Sequence, residues 1–76
     1  MVTFREKQVL TRIALGHSNK VIARDLVLSV KTVEKHRSNL MRKLTLHNAA
    51  AVTLFALRHG FIEAGGGDAL RVKTAR

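Results

Sequence analysis

Seventy-six residues fit one small domain, and a second is not expected within them. Fourteen Lys and Arg against five Asp and Glu give +9 with histidine neutral, the electrostatic footprint of a nucleic-acid binder, although charge alone does not choose the polyanion. No cysteine is present, which excludes disulfides and thiolate metal sites, and no apolar run approaches the roughly 20 residues of a membrane-spanning helix. The start "MVTFREKQ" lacks the apolar segment of a secretory signal, so the expectation is a cytoplasmic domain.

Prolines are absent and apolar residues recur at intervals of three and four, which predicts helices throughout. Thr3 followed by Glu6 forms a capping box for a first helix, with Val9, Leu10, Ile13 and Ala14 on one face and Gly16 as its stop. Ser18 caps a short second helix that buries Val21, Ile22 and Leu26 and ends near Val27. Ser29 caps a third, Val30 to Leu44, with Val33, Leu40 and Leu44 on one stripe and Lys31, Lys35, Ser38 and Arg42 directed elsewhere. Asn48 caps a fourth from Ala49 to His59, closed by Gly60, after which Phe61 and Ile62 fold back on the core. Phe4, Phe55 and Phe61 are all expected inside. Residues 1–63 thus form an all-α, compact four-helix bundle, and residues 64–76, "AGGGDALRVKTAR", are expected to be a flexible tail.

Two helices joined by a tight turn, the second with a basic and polar outer strip, are how a helix is set into the DNA major groove. That groove is about 12 Å wide and admits one helix. With Ser29 as N-cap, Thr32 lies in the first turn, where its hydroxyl and the free backbone amides can hold a phosphate. Residues one turn further in then face base edges.

Several motifs occur together and in order: "RE" with "VL" in the first helix, "G-S-NK-IA-L" across the second, "S-TV-H" opening the third, "KL" closing it, and a final "GFI". From Thr3 to Ile62 the chain closely resembles the LuxR-type, or GerE-like, helix-turn-helix domain, and "TVEKHRSNLMRKL" is most similar to response regulators of the FixJ/NarL type. The resemblance implies a bacterial transcription regulator that reads double-stranded DNA, as a palindromic site, with its third helix and pairs with a second copy through its fourth. Position by position it puts Glu34, Lys35 and Ser38 on base edges and Lys20, Thr32 and Lys43 on the phosphate backbone; Lys31 is grouped with the phosphate set. His36 borders the buried stripe and is either packed there or a phosphate contact. The chain departs from the family pattern where basic residues are frequent at the places of Glu34 and Ser38, and where Val21 stands for a capping glutamate.

The fourth helix is apolar nearly all round. Ala51, Val52, Phe55 and Ala56 form one face, and Ala50, Leu54 and Leu57 form another that suits a homodimer interface or a cover by the tail. No nucleophile, base and orienting group can be assembled, so no enzyme is expected. His17, His47 and His59 have no metal-ligand spacing, and neither a metal nor a cofactor is expected. The rival readings are a sigma-factor-like promoter-reading domain and a basic adaptor for an acidic protein. Contact with RNA polymerase is a further expectation.

Overall fold

The structure, a computed structural model, describes residues 1–65 and 69–73. Four helices follow in order, α1 (Phe4–Ala14), α2 (Asn19–Leu26), α3 (Val30–Leu44) and α4 (Ala49–Arg58), and then two short strands, β1 (Ile62–Ala64) and β2 (Leu70–Val72). The all-α class and the helix-turn-helix are as the sequence predicts.

Both ends of every helix have a local cause. Thr3, Ser18, Ser29 and Asn48 each accept a hydrogen bond from the backbone N–H three residues on, at 3.1, 3.2, 3.0 and 2.8 Å, and each such cap stabilises its helix by about 1 kcal/mol. In α1 the box is reciprocal, because the Thr3 N–H donates back to Glu6 Oε1 at 3.0 Å. The exits share one geometry. The N–H groups of His17, Leu28, Leu46 and Phe61 donate to the carbonyls of Arg12, Ala23, Met41 and Ala56, and the residue before each donor is left-handed. Glycine fills that position at Gly16 and Gly60, but Val27 and Thr45 hold it with φ of 56° each, where a Cβ is strained.

The core gathers Val9, Leu10 and Ile13 of α1, Ile22 and Ala23 of α2, Val33 and Leu40 of α3, Val52 and Ala56 of α4, and Ile62 of β1. Val21, expected inside, is only half-buried, and Ala23 takes the buried place beside Ile22. Phe55 and Phe61 are half-buried and stacked with ring centroids 6.2 Å apart. Phe4, expected inside, is 75% exposed.

Among the described residues the buried charged side chain is Glu6, only 3% exposed. Its Oε1 meets the Lys43 ammonium at 2.8 Å and joins the first turn of α1 to the last turn of α3. The Lys43 ammonium, and behind it the Thr3 N–H, hold the Glu6 carboxyl below its ordinary value of 4.5 in spite of burial. Lys43 Nζ also donates to the Met1 carbonyl at 3.1 Å.

After α4 the chain does something the sequence reading lacks. β1 and β2 pair antiparallel, Ile62 with Val72, Glu63 with Arg71 and Ala64 with Leu70, and the Glu63–Arg71 pair is closed by an ion pair at 2.8 Å. Each strand is only three residues long. That is too short for a period-two pattern to stand out beside the glycines. The expected mobility of residues 66–68 and 74–76 lies outside the described residues.

Two outcomes follow for stability. Val27 is 88% exposed, so Val27→Asn relieves the left-handed strain without opening a cavity; unfolding in urea should show a gain of about 1 kcal/mol. Lys43→Ala leaves the Glu6 carboxylate without its cation and should cost about 2 kcal/mol at pH 7. Because the folded Glu6 pKa is depressed, its contribution is fully present above 4.5 and is lost as pH falls through the lower folded value. The gap between wild type and Lys43→Ala should therefore narrow in that acid window, and a pH-independent gap would refute the pairing.

Candidate nucleic-acid interface

On α3, Val33 and Leu40 are wholly buried while Lys31, Glu34, Lys35, Ser38 and Arg42 are exposed. At about 100° per residue these five fall on the side away from the core, so the helix presents one continuous polar strip. Thr32 and His36 flank it and are half-buried.

The start of α3 is organised by hydrogen bonds. Ser29 Oγ accepts from the Thr32 N–H at 3.0 Å and donates to Thr32 Oγ1 at 2.8 Å, which leaves the Thr32 hydroxyl able to donate outward. The positive end of the helix dipole adds to Lys31 at that place. Lys20, in the first turn of α2, is also exposed.

Lys43 stands apart from this set. It lies ~18 Å along the helix axis from Lys31, at 1.5 Å per residue, and its ammonium is engaged by Glu6 and Met1. Arg37 turns toward α2 and donates from Nη1 to Asn19 Oδ1 at 3.2 Å. Sequence reasoning missed both side-chain links. Their partners are 37 and 18 residues apart, beyond the reach of any periodicity.

On α4, Ala50, Leu54 and Leu57 are exposed, Leu54 to 50% and Leu57 to 39%, on the side opposite buried Val52 and Ala56. Thr53 Oγ1 shares its one hydrogen between the carbonyls of Ala14 and Ala49, each at 3.2 Å, and so touches the end of α1. Arg58 and His59 are exposed beside the apolar side, and the His59 ring lies over Phe55 with centroids 4.2 Å apart. Among the described residues, no helix is long and apolar enough to cross a membrane and no three metal-ligating side chains stand together.

A capped helix with a basic outer strip, held by a second helix across a left-handed turn, defines a helix-turn-helix DNA-binding domain. The family model for bacterial regulatory proteins of the luxR family matches residues 1–56, and the chain belongs to that family, which is one of DNA-binding transcription regulators and not of enzymes. Over 58 residues the chain is 50% identical to the uncharacterized transcriptional regulatory protein YhcZ of Bacillus subtilis, covering 76% of this chain and 27% of that protein. It is 49% identical over 59 residues to the uncharacterized response regulatory protein YgeK of Escherichia coli, covering 78% of this chain and 40% of that protein. The response regulator protein VraR of Staphylococcus aureus is 36% identical over 63 residues, which cover 83% of this chain and 30% of VraR. The chain thus spans less than half the length of these relatives.

Proposed function

We propose that the chain is the DNA-reading effector domain of a bacterial response regulator, with α3 in the major groove of a specific duplex site. The observation that carries this reading is the exposed strip of α3 beside the Ser29-capped turn, in a chain of net charge +9. Glu34, Lys35 and Ser38 face base edges one turn inside the helix, with the Glu34 carboxylate suited to accept from a cytosine amino group. Lys20, Lys31, Thr32 and His36 hold phosphates on either side, while the Lys43 ammonium is engaged at Glu6.

Two copies sit on half-sites one helical turn apart and touch through Ala50, Leu54 and Leu57 of α4, so the preferred site is palindromic. The relatives named as response regulators support the effector role. On this reading the domain works in the cytoplasm on nucleoid DNA and meets RNA polymerase there.

Selection of bound sites from random duplexes tests the proposal. A palindromic preference is expected, with affinity falling steeply as salt rises, and a flat preference would refute it. Thr32→Ala and Lys35→Ala should each weaken binding about tenfold, and Glu34→Gln should change the preferred base at one position. A uniform gain across all sequences for Glu34→Gln would leave that residue a purely electrostatic role. For the second contact, Leu54→Glu should abolish cooperative occupancy of two half-sites in a gel-shift titration while single-site affinity stays within about threefold. Unchanged cooperativity would remove α4 from the interface.

A further inference from the structure

We propose that Arg37 is a positioning residue for sequence-specific DNA binding, acting through Asn19 to fix the angle between α2 and α3. The inference rests on the reading of α3 as the base-contacting helix and adds a residue pair to which that reading gives no role.

The two helices form a V whose apex is the turn Val27–Ser29. Asn19 is the first residue of α2 and so lies at the open end of the V, about 10–12 Å from the apex at 1.5 Å per residue. Arg37 stands about two turns into α3, at a similar distance from the apex along the other arm. The bond from Arg37 Nη1 to Asn19 Oδ1, 3.2 Å long, therefore closes the third side of a triangle. It is the one side-chain hydrogen bond between α2 and α3 among the described residues. Apolar packing of Ile22 against the core brings the helices together but is non-directional. A hydrogen bond at the end of the lever arm sets their angle.

The angle matters because the two arms meet different parts of the duplex. On the proposed reading Lys20, which follows Asn19 directly and is exposed, holds a phosphate, while the exposed Lys35 and Ser38, on either side of Arg37 in sequence, meet base edges. Opening the V at Asn19 carries Lys20 with it and would break the register between the proposed phosphate and base contacts. Arg37 itself is half-buried with Nη1 donating to α2, so the role proposed for it runs through Asn19. A lysine there keeps the charge, but its stem ends short of the place of Arg37 Nη1 and leaves Asn19 Oδ1 without its donor.

The consequence is a split between two kinds of binding. Non-specific attachment needs charge and no fixed angle, whereas specific attachment needs both contacts at once. Asn19→Ala changes no charge, and Arg37→Lys preserves it. Each should lower affinity for the selected duplex about tenfold, the worth of one charge-assisted hydrogen bond. Affinity for a random duplex should stay within about twofold. The double variant should be no worse than either single one, because both remove the same bond. Circular dichroism at the assay temperature establishes that all three variants are folded; a variant that merely unfolds loses both kinds of binding together. Equal losses on selected and random duplexes, or additive losses in the double variant, would overturn the proposal. A wild-type chain without preference between the two duplexes would instead refute the functional reading on which it rests.

Discussion

The Glu6–Lys43 ion pair is the buried electrostatic link between α1 and α3. Apolar packing of Val9, Leu10 and Ile13 with Val33 and Leu40 brings the two helices together, and the 2.8 Å contact ties the first turn of α1 to the last turn of α3. Removing a carboxylate from water costs several kcal/mol unless it is paired and hydrogen-bonded. Here both conditions are met, since the Thr3 N–H and the Lys43 ammonium converge on the same oxygen. The pair also accounts for the ammonium of Lys43 lying against α1, while the exposed strip of α3 carries Lys31, Lys35 and Arg42.

With that end anchored, the rest follows from short helices in a chain that has no cysteine to staple it. Each helix must be defined at both ends or it frays, and here each is capped at its start and closed by a left-handed residue at its exit. Those exits also set the directions of the connections. The strained Val27 sits at the apex between α2 and α3, so the turn that most matters for the presentation of α3 is held by a residue poorly suited to its conformation. The packing of Ile22, Val33 and Leu40 and the bond between Arg37 and Asn19 stabilise what the turn alone does not.

What was legible in the sequence was whatever has its cause within four residues. Ser29 bonds Thr32 and Asn48 bonds Ala51, so the helix starts could be read directly. The outer strip of α3 follows from Val33 and Leu40 by geometry, and the exposed Leu54 and Leu57 follow from Val52 and Ala56 in the same way. Phe4 was misplaced because residue type was followed over position. It lies roughly 150° round α1 from the buried face at about 100° per residue, while Glu6 lies at the middle of that face. The periodicity already put the glutamate inside and the phenylalanine outside. The partner that makes a buried glutamate tolerable is 37 residues away, and neither spacing nor composition points to it. The hairpin was hidden for a different reason: β2 is three residues long and is defined by pairing with β1, not by a pattern of its own.

The account stands on α3 being the surface that meets DNA, with the start of α2 beside it. Amide chemical shifts of the isotopically labelled chain, followed while a selected duplex is added, test this most directly. The account predicts the largest changes at Ser18 to Lys20 and from Lys31 to Ser38, smaller ones along α4 as a second copy joins, and little change in the hairpin. Changes concentrated in the hairpin or on the outer side of α1, with α3 unmoved, would contradict it.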